Sequence, residues 1–198
     1  MALDPNDSTR LNRRGFFTQG LQRALREAVD AFAERVAPVA YIRPPGALPE
    51  AAFVGACTRC GACEDVCPVQ AISMLPPSHG LAAGTPVLDV ATTACVMCET
   101  MPCAAACPTP ALDLPAWGWR DVQMARIAIS TTSCITWRDV ECGVCARVCP
   151  VGEDALRMDS NGQKNPVIGD ACTGCGQCIS ACVTAPSSIS ATPTEMMA

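Results

Sequence analysis

The spacing of apolar residues changes along this chain, from helical near its start to short alternating runs further on. Six apolar residues fall on one face of a helix: Leu21, Leu25, Ala28, Val29, Phe32 and Val36. Charged residues lie between them, so the pattern predicts an amphipathic helix that ends near Pro38. Two roles are equally open for this helix: packing on the protein's own body or docking on a partner.

After this helix, short predicted strands alternate with turn-forming residues. Residues 41–48 contain two prolines and a glycine and predict an extended linker. The predicted strands are residues 71–74, 87–90, 125–130, 155–158 and 166–168. A Pro- and Gly-rich turn separates the first two, and Asn161-Gly162 predicts a hairpin between the last two. We expect repeated units of a loop, a short helix and a strand–turn–strand return.

Sixteen cysteines form four groups of four, with none left over. The groups are Cys57, Cys60, Cys63 and Cys67; Cys95, Cys98, Cys103 and Cys107; Cys134, Cys142, Cys145 and Cys149; and Cys172, Cys175, Cys178 and Cys182. The first and last groups have the spacing C-x2-C-x2-C-x3-C, by which bacterial ferredoxins hold a cubane cluster. We expect a short helix to begin at the last cysteine of each group. Four thiolates per cluster predict four [4Fe-4S] clusters, with all sixteen cysteines as iron ligands.

Other uses of cysteine fit this pattern less well. Disulfide scaffolds are usually short chains whose cysteines are spread out, whereas these lie in four tight groups. Zinc ribbons pair two C-x2-C knuckles across a long spacer and lack the Cys-Pro that ends three of these groups. A Rieske centre needs two histidines, and the chain has only His79.

The sequence leaves open which cysteine groups exchange their fourth ligand and so share two clusters. In two-cluster ferredoxins, the fourth cysteine of each motif binds the cluster of the other motif. If adjacent groups pair, Cys107 completes the first cluster and Cys67 the second, while Cys182 and Cys149 complete the other two. A nested arrangement would instead pair group one with four and group two with three, as in four-cluster subunits of molybdenum oxidoreductases. Short, similar return hairpins favour adjacent pairing slightly.

Composition and charge narrow the range of possible functions and partners. Aromatic residues make up only 4% of the 198 residues, so the apolar core is thin and cluster binding must supply folding energy. The formal charge of −5 falls to about −13 once each of four clusters adds about −2. Such a charge argues against nucleic acid or anionic lipid as a partner. The negative charge suits docking onto a basic patch of a redox protein.

The cysteine groups and their flanking residues resemble the NapG/MauM ferredoxin-type proteins of periplasmic nitrate reductase and methylamine utilisation systems, and more loosely NapF. The similarity runs from about Arg43 to Ile189 and includes the sequence Arg-Pro-Pro-Gly-Ala at 43–47 and the unusual C-x7-C gap after Cys134. The resemblance implies an α+β fold of two tandem ferredoxin-like lobes, at 41–115 and 116–198, after an N-terminal segment at 1–40. It also implies redox protein partners, such as a quinol-oxidising membrane protein that supplies electrons.

The first forty residues bear on location. Asn12-Arg13-Arg14-Gly15-Phe16-Phe17 matches a twin-arginine export motif, but charged residues follow it where a signal peptide has an apolar run. The chain contains no stretch of 18 apolar residues. NapG-like proteins are exported, whereas NapF-like proteins have a similar arginine start and stay cytoplasmic. We therefore expect a cytoplasmic protein, with the periplasm as the alternative.

The remaining residues do not suggest a substrate site. His79 lies in a Pro/Gly loop and is expected to be solvated. Gly61, Gly143, Gly174 and Gly176 lie within the cluster loops, either to let backbone amides approach cluster sulfur or only to form turns. Trp117 and Trp119 are expected to pack between the lobes rather than to shield a cluster. The sequence predicts an electron carrier rather than an enzyme, with an accessory role in maturing a redox enzyme as the alternative.

Overall fold

A computed structural model describes residues 40–159 and 164–194. The predicted amphipathic helix and the twin arginines lie outside the described residues, as do the glycine and asparagine of the predicted Asn-Gly turn. The described residues belong to one compact unit. The predicted boundaries at 40/41 and 115/116 stay predictions.

Short antiparallel strand pairs make up the sheets of the described region. β1 (Ile72–Met74) pairs with β2 (Pro86–Leu88), and β4 (Leu156–Met158) pairs with β5 (Pro166–Ile168). A segment of 3₁₀ helix, Pro77–Ala82, lies in the connection between β1 and β2. These pairs are the strand–turn–strand returns predicted between groups one and two and between groups three and four.

The stretch between groups two and three differs from the predicted repeat. Here β3 (Ala125–Ile129) pairs with β6 (Ile189–Pro193), which follows the last cysteine group. The strand pair therefore joins the two ends of the second lobe instead of forming a return hairpin. A single antiparallel bridge between Ala47 and Leu112 does the same for the first lobe.

Five short helices lie in the described region, four of them within the cysteine groups. They are α1 (Glu50–Ala56), α2 (Ala62–Asp65), α3 (Pro102–Ala105), α4 (Val144–Arg147) and α5 (Gln177–Ser180). The prediction that a helix begins at the last cysteine of each group was wrong. Helices α2 to α5 each carry the third cysteine and end before the fourth. In three groups the fourth cysteine precedes a proline, which disfavours helical backbone at that cysteine.

The core is thin, as the composition predicts, and cysteines form part of it. Phe53 is completely buried, and Leu156 and Ile72 lie in the same apolar cluster. Five cysteines are also buried within it: Cys63, Cys103, Cys145, Cys175 and Cys178. A group that binds these five thiols is therefore packed into the core of the fold.

The predicted linker at 41–48 is packed against the first lobe. The backbone N–H of Leu88 donates to the carbonyl of Ile42 at 2.8 Å. Arg43 is buried and lies over the rings of Tyr41 and Phe53, with its guanidinium carbon 4.9 and 4.7 Å from the ring centroids. This segment is thus part of the lobe.

Candidate metal centres

The structure gathers the sixteen cysteines around four separate cavities, four cysteines to each. Site A is lined by Cys57, Cys60, Cys63 and Cys107; site B by Cys67, Cys95, Cys98 and Cys103; site C by Cys134, Cys142, Cys145 and Cys182; and site D by Cys149, Cys172, Cys175 and Cys178. In every site, three cysteines come from one group and the fourth from the adjacent group. The geometry therefore selects adjacent pairing over the nested arrangement.

The cavities suit a cluster of several atoms. The space between the protein atoms is about 310, 370, 380 and 340 Å³ for sites A to D, part of it open to solvent. Apolar side chains such as Phe53, Leu88, Ile189 and Leu156 complete the walls. All sixteen cysteines are free of disulfides. Among residues 40–159 and 164–194, no three potential ligands are grouped around a single metal ion. Four thiols around an apolar cavity are the donor set that a cubane iron–sulfur cluster requires.

Glycine shapes the loops that present the thiols. Gly61 and Gly176 come directly before α2 and α5 with φ of +80° and +83°, a region that favours glycine. A Cβ on Gly61 would meet nothing within 4 Å, whereas a Cβ on Gly176 would lie 2.6 Å from the Cβ of Val90. Gly174 likewise has a positive φ, and its Cβ would lie 2.4 Å from backbone atoms of Ala125. Turn geometry explains Gly61, and close packing adds a second requirement at the other two.

Hydroxyl groups lie beside several of the sulfur atoms. The Thr136 hydroxyl is 3.3 Å from the Cys134 Sγ, and the Thr184 hydroxyl is 3.2 Å from the Cys182 Sγ, so site C has two such contacts. At site A, Thr109 is 3.7 Å from the Cys107 Sγ. In each case the threonine follows the cysteine by two residues. The recurring Cys-x-Thr is a signal that the sequence reading missed.

Backbone amides also point at cluster sulfur positions. The N–H of Arg59 donates to the Cys57 Sγ at 3.4 Å, and the N–H of Ala71 donates to the Cys67 Sγ at 3.3 Å. Such donors favour the charged thiolate and tune the potential of a bound cluster. Burial raises the pKa of the Cys172 thiol, and a hydrogen bond from the backbone of Gly174, one of the glycines singled out in the sequence, acts against it.

Burial sets the proton affinity of the thiols in the metal-free chain. It raises the pKa of Cys63 and Cys95 to about 11 and of Cys103 and Cys178 to about 12. Burial also acts on Cys182, but hydrogen bonds from Thr184, Ser188 and Ser187 outweigh it and lower the pKa to about 7. Iron must therefore displace a tightly held proton at the four thiols whose pKa burial raises to about 11 or 12.

Three side chains have surroundings that differ from those predicted from the sequence. Trp119 lines site B and its Nε1–H donates to the carbonyl of Cys98 at 3.1 Å, so it does border a cluster site. Trp117 is 76% exposed, so it does not pack between the lobes. His79 is half-buried, and its Nδ1 shares a 2.8 Å hydrogen bond with the hydroxyl of Tyr41, so it is not merely solvated.

Comparison with known proteins agrees with this geometry. Two family models, each described as a 4Fe-4S dicluster domain, match residues 56–111 and 126–183. The chain is 34% identical to the methylamine utilization ferredoxin-type protein MauM of Methylorubrum extorquens, over 93% of this chain and 90% of that protein. It is 38% identical to MauM of Paracoccus denitrificans, over 78% of this chain and 72% of that protein.

The ferredoxin-type protein NapG of Escherichia coli is 35% identical, over 78% of this chain and 71% of that protein. The chain belongs to the MauM/NapG family of ferredoxin-type proteins. No solved structure matches this MauM/NapG chain. Its two dicluster domains and sixteen cysteines fit four [4Fe-4S] clusters, as predicted, and its ferredoxin-type relatives support electron transfer.

The structure adds one observation on membranes. No helix in the described part of the chain is both long and apolar enough to cross a bilayer.

Proposed function

We propose that this protein relays single electrons between a donor and a larger oxidoreductase, with all sixteen cysteines as iron ligands. The observation that carries this proposal is the convergence of four thiols on each of four cavities. A [4Fe-4S] cluster supplies reversible one-electron chemistry when it is bound. The chain supplies the thiolates, the amide and hydroxyl donors to their sulfur atoms, and the apolar walls that exclude water.

The same donor sets favour a carrier over an enzyme. Four cysteines line each cavity, so each iron of a cubane has a thiolate and no coordination position is left for a substrate. The cavity walls beside these thiols are mainly apolar, as at Ile72, Leu88 and Trp119 in site B. Such walls offer no acid or base for turnover.

Charge supports protein partners on both sides of the relay. The holo-protein carries about −13, so it is steered toward basic surfaces. We propose a quinol- or ferredoxin-linked donor and a soluble or membrane-bound oxidoreductase as acceptor. The N-terminal helix predicted from the sequence is a further docking element.

The test uses the anaerobically purified holo-protein. Iron and sulfide analysis first establishes the cluster content, and a redox titration followed by EPR then counts the reducible centres. Four reducible clusters that re-oxidise rapidly with the acceptor support the relay. Clusters that stay inert toward every redox partner would contradict it and would favour the accessory role in enzyme maturation.

We also propose that the protein resides in the cytoplasm. The support is the run of charged residues after Arg13-Arg14, which includes Arg23, Arg26 and Glu27. The test fuses the full chain to a reporter that becomes active only after export by the twin-arginine route. Reporter activity that depends on Arg13-Arg14, compared with an R13K/R14K variant, would place the protein in the periplasm instead.

A further inference from the structure

We propose that the two lobes exchange electrons between sites B and D, where Cys95 contacts Cys175, so that sites A and C are the two ends of the relay. This order, A–B–D–C, differs from the order of the cysteine groups in the sequence. It rests on the proposed relay function and specifies its internal route.

The contact between the lobes involves ligand residues directly. The backbone N–H of Cys95 in site B donates to the carbonyl of Cys175 in site D at 2.9 Å. The carbonyl of Cys95 in turn accepts from the Nε2 of Gln177 at 3.2 Å. The path through bonds from a sulfur of site B to a sulfur of site D therefore consists of the covalent bonds of Cys95 and Cys175 and one hydrogen bond between them.

Further packing holds the same two sites together. The Thr173 hydroxyl lies 3.4 Å from the Met97 Sδ, and these residues are direct neighbours of ligands in sites D and B. Gly176, between Cys175 and Cys178, lies against Val90 so closely that an added Cβ would be 2.7 Å from the Val90 carbonyl oxygen. Together with the two hydrogen bonds of Cys95, these contacts place site D against site B.

Ligand exchange within each lobe fixes the outer positions. Cys107 comes from the second group but lines site A, while Cys67 comes from the first group but lines site B. Cys182 and Cys149 are exchanged between sites C and D in the same way. Site A is thereby tied to B, and C to D. The exposed Cys60 of site A and the exposed Val183 beside Cys182 of site C suit ends that meet other proteins.

Each transfer between the inner sites is a one-electron exchange. The electron lost at site B is gained at site D, or the reverse, and no bond or proton changes. The external donor supplies the electron at one end, and the external acceptor removes it at the other.

The first experiment compares two ligand variants at matching positions, Cys60→Ala in site A and Cys98→Ala in site B. Iron analysis establishes that each variant has lost one cluster and kept three. EPR of the fully reduced proteins then measures magnetic coupling among the remaining clusters by line splitting and power saturation. In the C60A variant we expect the clusters of sites B, D and C to be magnetically coupled in a row. In the C98A variant we expect one coupled pair and one isolated cluster.

The opposite result, an isolated cluster in C60A and three linked clusters in C98A, would place site A at the crossing and overturn the order. A wild-type protein without clusters would instead refute the proposed function itself. The two failures are therefore distinguishable.

A second pair of variants tests the interface without touching a ligand. The substitutions are Gly176→Ala and Gly61→Ala. Both glycines follow the second cysteine of a C-x2-C-x2-C-x3-C motif, and their φ angles are nearly equal, +83° and +80°. Only the first meets a neighbouring side chain, that of Val90. We expect G176A to slow electron exchange between the lobes by at least tenfold and to weaken one magnetic coupling, while G61A retains both. Equal exchange rates and couplings in the two variants would contradict a crossing at this contact.

Discussion

The hydroxyl of Thr184 lies 3.2 Å from the Sγ of Cys182 and accepts a 2.8 Å hydrogen bond from the backbone N–H of Ser188. A thiolate can only accept, so with iron bound the threonine donates to the sulfur while the hydroxyl of Ser188, 2.8 Å away, donates to the threonine. Thr136 lies in the same position beside Cys134 of the same site. Hydroxyl groups therefore lie beside two of the four sulfur ligands of site C.

We predict that Thr184→Val lowers the reduction potential of the site C cluster. A donor to ligand sulfur stabilises the reduced cluster more than the oxidised one because the reduced cluster carries more negative charge. A differential hydrogen-bond energy of about 1 kcal/mol corresponds to roughly 40 mV for a one-electron couple. An EPR-monitored redox titration measures the shift.

The matched control is Thr131→Val, because Thr131 is exposed on the same lobe. We expect its four midpoint potentials to equal those of the unsubstituted protein. A potential at site C that stays constant or rises in T184V would show that the hydroxyl does not donate to the sulfur.

The sequence predicted sixteen cysteine ligands but favoured adjacent over nested pairing of the groups only slightly. The spacing within each group depends on a single loop, so each group can be recognised locally. Which loop provides the fourth thiol depends on α2 packing beside α3, and α4 beside α5, contacts that local spacing does not encode. The pairing of β3 with β6 was missed for a related reason. Ile189 and Ala191 alternate with Ser190 and Thr192, a weak strand pattern whose partner lies about sixty residues away.

The packing of Arg43 leads to a second prediction. Its Nε donates to the Glu50 Oε2 at 2.9 Å, its Nη2 pairs with the other carboxylate oxygen, and its Nη1 donates to the Thr85 hydroxyl at 2.9 Å. We predict that Glu50→Gln destabilises this region by about 3 kcal/mol, because a buried guanidinium loses its counter-charge. Glu50 begins α1, whose Phe53 lines site A.

Anaerobic urea treatment followed by EPR measures the effect of E50Q. The site A signal should be lost at least about tenfold faster than in the unsubstituted protein. Glu153→Gln provides the control, since Glu153 is an exposed carboxylate in the second lobe. Loss of all four signals at one common, unchanged rate would contradict a local role for the Arg43–Glu50 pair.

The thiol pKa values predict an order of cluster loss in acid. Protons compete with iron for each thiolate, and a thiol with a higher pKa takes up its proton at a higher pH. Burial raises the pKa of Cys95 and Cys103 in site B to about 11 and 12, whereas that of Cys182 in site C is lowered to about 7. As the pH falls from 7, we expect site B to lose its cluster before site C.

Stepwise acidification with EPR at each pH checks this order. The T184V variant should move the loss at site C to higher pH, because it removes a hydrogen bond that lowers the pKa of Cys182. Loss of the site C cluster first, in both proteins, would contradict the assignment.

Removal of the iron should unfold the chain. Helices α2 to α5 have four residues each, too short to be stable alone, and each sheet has two strands. The buried cysteines that complete the core would then line apolar cavities with nothing to fill them. We predict that chelation under reducing conditions abolishes the far-UV circular dichroism of the lobes and exposes the chain to trypsin. Restoring iron and sulfide should reverse both changes, whereas a metal-free form that stays compact and resists the protease would show that apolar burial alone holds the fold.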